Sequence, residues 1–148
     1  MTLIKNFWLF LVWLFVILYL SFTPLTNWPQ PTLFQKLYID KVVHIFMYAA
    51  LSFLLLRGFF LQQKKQHLRY ALIVTSLIIC AGLGVAVEFL QPVLTMYRRF
   101  EWMDMVANAT GVVTGWLIFS WLLSKQWLGL KTMSTNRSFS GSNDLSNY

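Results

Sequence analysis

Three short stretches of the chain carry polar and ionisable side chains at the spacing of one helix face. The first stretch consists of Asp40, His44, Tyr48 and Ser52. The second consists of Gly84, Glu88 and Gln91, and the third of Asp104, Asn108, Gly111 and Gly115. Residues three or four apart lie on the same face of a helix. A histidine beside a carboxylate can take up and release a proton. We therefore predict His44 as a catalytic acid or base, with Glu88 or Asp104 orienting it.

Basic residues next to these stretches indicate an anionic ligand. Lys41 follows the first aspartate, and Arg98 and Arg99 precede the third stretch. An arginine guanidinium can bind a phosphate through two parallel hydrogen bonds, so we predict that Lys41 and Arg98 bind a phosphate and that two amide side chains position the rest of the substrate. The candidate substrate-binding residues are Asp40, Lys41, Gln91, Arg98, Arg99 and Asn108.

Metal binding is the main alternative for this cluster. Two carboxylates and a histidine are a ligand set that can hold a divalent cation. The chain has one cysteine, Cys80, and so offers neither an internal disulfide nor a thiol-rich metal site. We predict no metal and no cofactor, and keep the divalent cation as the alternative.

The composition indicates a membrane protein. Of 148 residues, 57% are hydrophobic, 18% aromatic and 11% charged, whereas about a quarter of the residues of a soluble domain are charged. The net charge of +7 would suggest nucleic-acid binding on a soluble chain. In a membrane protein the same excess of basic residues orients helices, and we expect membrane lipids and no nucleic acid as partners.

Four apolar segments are long enough to cross a bilayer, whose core of about 30 Å takes about 20 helical residues. They run from Phe7 to Phe22, Val42 to Leu61, Tyr70 to Leu90 and Met105 to Leu123. Helices satisfy their own backbone in lipid, so we predict an all-α membrane protein with four transmembrane helices. Pro92 is expected to end the third helix about one turn beyond Glu88. A cleaved signal peptide is the alternative for the first segment, but no A-x-A-like cleavage site follows it.

Two domains follow from this division: a transmembrane domain over residues 1–124 and a disordered cytoplasmic tail over residues 125–148. The tail is rich in Ser, Asn, Thr and Gly and has too few aliphatic residues to offset its chain entropy. With the N-terminus inside, eight basic residues fall on the cytoplasmic side and four on the other. The positive-inside rule then favours both termini in the cytoplasm, with the polar stretches at the outer ends of their helices.

The polar stretches are expected to face one another, because an ionisable side chain that faces lipid is costly. Small residues would allow the necessary close approach of helices. They form one pair four residues apart, Gly111 and Gly115, and a second set at the same spacing, Ser76, Cys80 and Gly84.

Four motifs follow one another along these helices: Asp40-Lys41-x-x-His44-x-x-x-Tyr48, Glu88-x-x-Gln91, an arginine six residues before Asp104, and Asp104-x-x-x-Asn108-x-x-Gly111-x-x-x-Gly115. Together they resemble the VanZ-like family of small bacterial membrane proteins, over about residues 38–116. The adjacent Arg99 leaves open which arginine serves the motif. The resemblance implies a bacterial cytoplasmic (inner) membrane and a cell-envelope role. The founding member is linked to resistance to the glycopeptide antibiotic teicoplanin, but the resemblance implies no defined activity.

Two classes of function remain open. In the first, the polar stretches bind or process an anionic, lipid-linked envelope precursor at the outer leaflet. In the second, the protein is noncatalytic, and the polar residues hold the helices together or dock another envelope protein. Polar contacts between membrane helices are often structural and average about 0.6 kcal/mol. Tyr48 and Ser52 are interpreted as packing residues.

Overall fold

The computed structural model describes residues 2–23, 33–63, 70–95 and 100–124, with side chains from residue 5 in the first range and from residue 39 in the second. These residues form four α-helices, and no strand occurs among them. The helices are α1 (Thr2–Phe22), α2 (Leu33–Gln62), α3 (Tyr70–Leu94) and α4 (Trp102–Ser124). Each is long and apolar enough to cross a membrane. The predicted all-α architecture with four membrane-spanning helices is confirmed, and the protein is a multi-pass membrane protein.

Helix α2 begins earlier than the apolar segment that predicted it. It starts at Leu33, nine residues before Val42. Asp40 and Lys41 therefore lie within the helix rather than ahead of it. For this reason the spacing of four residues from Asp40 through His44 places their side chains on one helical face.

The prediction that Pro92 ends α3 was wrong. The helix continues through Pro92 to Leu94. Proline lacks the N–H that would bond to the carbonyl four residues earlier, but this loss is confined to the last turn. The N–H of Thr95 then donates to the carbonyl oxygen of Gln91 at 2.9 Å. Glu88 consequently lies six residues, or roughly 9 Å, inside the end of its helix instead of one turn.

Helices α2 and α4 form the most extensive interface of the bundle. Two glycines of α4 make it possible, because Gly111 lies against the carbonyl oxygen of Ile45 and Gly115 against that of Ala49. A methyl group at either position would collide with backbone that cannot rotate away. The close approach predicted from the small-residue pair is thus confirmed, and it fixes the register of the two helices that carry His44 and Asn108.

Helix α1 packs mainly on α2. The indole N–H of Trp13 donates to the carbonyl oxygen of Met47 at 2.9 Å, and Ile17 is fully buried beside Leu51 and Leu55 in the apolar core. On α3, Ser76, Cys80 and Gly84 all face the interior. The apolar core therefore supports α2 from one side, while α3 and α4 enclose its polar face.

Two sequence predictions concern residues outside the described ranges. The disordered tail over residues 125–148 is one of them, and the placement of Arg98 and Arg99 is the other. The cytoplasmic location of both termini stays a prediction.

Candidate polar site between helices α2, α3 and α4

The three polar stretches meet at one end of the bundle. We call the cluster of side chains that they and the start of α4 contribute the polar junction: Asp40, Lys41, His44, Glu88, Glu101, Asp104 and Asn108. Exposure decreases across it, from side chains that are 37% exposed at Asp40 and 49% at Glu101 to 0% at Glu88 and 2% at Asn108. The polar junction thus opens at the protein surface and ends deep between the helices.

A hydrogen-bonded chain joins the three helices at the deep end of the polar junction. The amide nitrogen Nδ2 of Asn108 donates to Oε1 of Glu88 at 3.4 Å. The other amide atom, Oδ1, lies 2.9 Å from Nδ1 of His44, and His44 Nδ1 lies 3.8 Å from Glu88 Oε1. The carboxylate of Glu88 can only accept, so it takes the N–H of the Asn108 amide, and the amide oxygen is left facing the His44 ring. Nδ1 of His44 therefore carries the proton and donates it to Oδ1 of Asn108.

This assignment leaves Nε2 as the basic nitrogen of the His44 ring. Nε2 lies 3.9 Å from Oδ2 of Asp40, one helical turn earlier on α2. A neutral imidazole with one nitrogen held as donor can accept a proton or bind an electrophile through the other. The buried side of the ring is therefore fixed, and the reactive side faces the mouth of the polar junction.

Lys41 is surrounded by carboxylates at that mouth. Its ammonium nitrogen Nζ donates to Asp104 Oδ1 and lies 2.9 Å from Glu101 Oε2 and 4.0 Å from Asp40 Oδ2. Asp104 is 4% exposed and lies in the first turn of α4, where the helix dipole favours a negative charge. Three carboxylates and one ammonium give this group of described residues a net charge of −2 (three negative charges less one positive).

Seven of the nine predicted site residues have described side chains, and the structure brings six of them together in the polar junction: Asp40, Lys41, His44, Glu88, Asp104 and Asn108. The seventh, Gln91, is 1% exposed, and its Nε2 has no hydrogen-bond partner among the described residues. It shares the inner face of α3 with Glu88. Arg98 and Arg99 lie outside the described residues.

Glu101 is a member of the polar junction that was not among the predicted site residues. It precedes α4 and pairs with Lys41 across a sequence separation of 60 residues. Its position three residues before Asp104 was the available signal, since an acidic residue just ahead of a helix is favoured by the helix dipole.

Tyr48 lies directly below the polar junction on α2. Its ring packs against Gly84 and its Cβ against Gly111, consistent with a packing residue. Its hydroxyl, however, is buried and has no hydrogen-bond partner within the described ranges, and the same is true of the hydroxyl of Ser52. The polar face of α2 therefore continues into the bundle beyond His44, the last residue on this face with a side-chain hydrogen bond to another helix.

Three side chains of the polar junction have the donor types of a metal centre. Asp40, His44 and Asp104 each offer one ligand atom, and these atoms all lie within 4.8 Å of one another. His44 supplies a ring nitrogen and the aspartates supply carboxylate oxygens.

Comparison with known proteins identifies the family of the chain. No curated protein and no solved structure matches the chain. The family model described as VanZ/LLP1 matches residues 3–123, a wider range than the motifs at about 38–116, because it includes helix α1. The match covers about four fifths of the 148 residues. With its four apolar helices and the polar junction formed by its motif residues, the chain belongs to the VanZ/LLP1 family.

Proposed function

We propose that this VanZ/LLP1 protein binds the head group of an anionic, lipid-linked envelope precursor at the polar junction, in the cytoplasmic membrane of a bacterium and on its outer face. The observation that carries the proposal is the buried chain from Glu88 through Asn108 to His44. It fixes one nitrogen of the ring inside the bundle and presents the other at a mouth bordered by Asp40 and Glu101.

The deep placement of Glu88 supports a chemical role for His44. A carboxylate is among the most costly groups to bury in a membrane, and an interhelical contact needs only serine or asparagine. A carboxylate connected to histidine through an amide stabilises the ring in one tautomer and, when the ring takes up a proton, stabilises the resulting positive charge. His44 is thus the proposed acid or base, with Glu88 and Asn108 as positioning residues.

The anionic part of the ligand is assigned to Arg98 and Arg99. Lys41 was a predicted phosphate ligand, but its ammonium is engaged by Asp104 and Glu101. Its proposed role is to hold these carboxylates in place. The two arginines precede Asp104 by six and five residues in the sequence, and a guanidinium binds phosphate with two hydrogen bonds.

Binding to nanodiscs tests this proposal. The purified full-length chain is incubated with nanodiscs that contain either a polyprenyl phosphate or the corresponding polyprenol, and bound lipid is quantified by mass spectrometry. We expect a preference for the phosphate that falls at least tenfold in Arg98→Ala with Arg99→Ala. Arg57→Ala is the matched control, because Arg57 lies 17 residues along α2 from Asp40, roughly 25 Å away by helical rise. Equal binding of both lipids by the wild-type protein would contradict the proposal.

A noncatalytic role in helix assembly or partner docking is the second candidate. The observation that favours it is that the polar junction joins α2, α3 and α4 next to the glycine-mediated contact of α2 with α4. Glu88→Gln and His44→Ala separate the two roles. Loss of folded protein from the membrane supports the structural role, whereas normal abundance with lost lipid binding supports the site.

Teicoplanin susceptibility gives the proposal a cellular measurement. The family link implies that expression of the chain in a susceptible bacterium lowers its sensitivity to teicoplanin. The matched strain expresses His44→Ala at equal abundance. Equal sensitivity of the wild-type strain and an empty-vector strain would contradict this part of the proposal.

A further inference from the structure

We propose that the polar junction contains a divalent-cation site formed by Asp40, the Nε2 atom of His44 and Asp104. This goes beyond the proposed lipid binding and reverses the sequence-based expectation of no metal. The ion belongs to the class that accepts one imidazole nitrogen and two carboxylate oxygens, Zn²⁺ or Mn²⁺, with its remaining positions open to water or a ligand oxygen.

The spacing of the donor atoms fits one ion. His44 Nε2 and Asp40 Oδ2 are 3.9 Å apart, and all three donor atoms lie within 4.8 Å of one another. Two ligands of a tetrahedral Zn²⁺, each bound at about 2.1 Å, are about 3.4 Å apart. Small side-chain rotations of Asp40 and Asp104 therefore complete the site without movement of the helices.

The surroundings of His44 are those of a metal-binding histidine. Such a residue almost always donates its second ring N–H to another protein group, which fixes the tautomer and the orientation of the ring. Here Nδ1 donates to Asn108, which in turn donates to Glu88. The His44 side chain is only 7% exposed, yet Nε2 forms no hydrogen bond with any described residue and faces Asp40. The ring is thus buried and fixed through Nδ1, while Nε2 points to the Oδ2 atom of Asp40 at 3.9 Å, which is the second, independent indication of a ligand.

The charge of the mouth favours a dication as well. Among the described residues, Asp40, Glu101 and Asp104 share one ammonium, that of Lys41, and Asp40 also faces Nε2 of His44. With His44 neutral, the three carboxylates and the ammonium carry a net charge of −2. Lys41 sits on a flexible four-carbon stem and can retain its pair with the exposed Glu101 when an ion binds Asp104. In the absence of an ion, the same ammonium keeps the buried Asp104 compensated.

A bound dication would act together with the proposed arginines on the anionic ligand. The carboxylates Asp40, Glu101 and Asp104 repel a phosphate, because like charges repel at this distance. A metal ion with an open coordination position attracts the phosphate oxygen directly. Its site would then serve both to neutralise the carboxylates and to orient the head group.

Metal binding by the full-length chain in detergent tests the inference. The protein is treated with a chelator, exchanged into chelator-free buffer and titrated calorimetrically with Zn²⁺ and, separately, Mn²⁺. We expect about one ion per chain for at least one of the two metals, with affinity at least tenfold lower in Asp40→Asn, His44→Gln and Asp104→Asn. One matched control is available: His67→Gln removes the other histidine of the chain. This variant is expected to bind within threefold of the wild type.

A spectroscopic measurement on the wild-type protein keeps the inference falsifiable if a variant fails to fold. X-ray absorption of the loaded protein is expected to show one imidazole nitrogen and carboxylate oxygens at about 2.0–2.2 Å. Three results would overturn the site: no binding of either metal by the wild type, equal affinities of His44→Gln and His67→Gln in folded protein, or a ligand shell without nitrogen. No lipid phosphate is present in these experiments. Metal binding without lipid binding would therefore contradict only the proposed function, and lipid binding without metal binding only this inference.

Discussion

The ring nitrogen Nδ1 of His44 and the amide oxygen Oδ1 of Asn108 lie 2.9 Å apart, although 64 residues separate them in the chain. The contact links α2 to α4, and through Glu88 it extends to α3. A single amide thus sets the tautomer of the histidine and connects three membrane helices.

Asn108→Ala is expected to lower the stability of the bundle. The substitution removes both the acceptor for His44 and the donor to Glu88, and a buried polar group that loses its partner costs about 1–3 kcal/mol. The measurement is thermal unfolding of the purified protein in detergent, followed by circular dichroism. Thr110→Ala is the control, because the Thr110 hydroxyl is exposed and bonds only to the backbone of its own helix. Equal unfolding temperatures for the two variants would contradict the role of Asn108.

Gly115→Ala is expected to destabilise the protein by about 1–3 kcal/mol, the usual cost of inserting a methyl group into a close-packed contact. The added Cβ would meet the carbonyl group of Ala49, which belongs to the α2 backbone. The measurement is the same thermal unfolding experiment.

Gly82→Ala is the matched control for this effect. No atom lies within 4 Å of the Cβ position at Gly82, and alanine favours a helix by up to about 1 kcal/mol over glycine. This variant should be as stable as the wild type or more so. A loss of stability in Gly82→Ala with none in Gly115→Ala would show that Gly115 does not mediate the contact of α2 with α4.

Lys41→Met is expected to be strongly destabilising in the absence of a metal ion. Removing one partner of a buried ion pair leaves an uncompensated charge, here on Asp104, at a cost of about 3 kcal/mol. In chelator, the unfolding temperature of the variant should be lower than that of the wild type. Addition of the divalent ion that binds the wild type should restore part of the difference. The control is Lys5→Met, since Lys5 is an exposed residue of α1. A stability equal to that of the wild type in chelator would contradict the ion-pair assignment.

Tyr48→Phe is expected to leave the stability unchanged or to raise it. The hydroxyl is buried and has no hydrogen-bond partner in the described part of the chain. Removal of a buried polar group without a partner relieves its desolvation cost, up to about 1–3 kcal/mol. Tyr48→Ala is the comparison, because it also removes the ring that packs on Gly84 and should cost about 3–5 kcal/mol. A clear loss of stability in Tyr48→Phe would mean that the hydroxyl is hydrogen-bonded in the membrane.

The sequence was sufficient to predict which helix faces meet. Periodic spacing locates His44 and Asn108 on polar faces, and the cost of exposing them to lipid requires that those faces point inward. The glycine pair of α4 was equally readable, because small residues four apart in an apolar helix indicate a close contact. These inferences succeed because a polar or charged side chain within a membrane-spanning helix has few favourable positions other than the interior of the bundle.

The spacing of residues along the sequence could not predict which side chains pair with each other. Lys41 was expected to bind phosphate, yet it is engaged by Glu101 and Asp104, and the partner of a flexible lysine depends on how the ends of α2 and α4 lie next to each other. Pro92 was misread because its missing N–H matters little in the final turn of a helix, where only one internal hydrogen bond is lost. Rules based on local sequence thus predicted the presence of the helices better than the residues at which they begin and end.

The order of the helices along the chain has a consequence for biosynthesis. His44 and Glu88 belong to the second and third helices, while Asn108, which links them, belongs to the fourth. During synthesis this asparagine leaves the ribosome after both of its partners, so the link can form only once α4 has left the insertion machinery. The amide bridge therefore forms late, and a chain that terminates before α4 would lack the connection between α2 and α3.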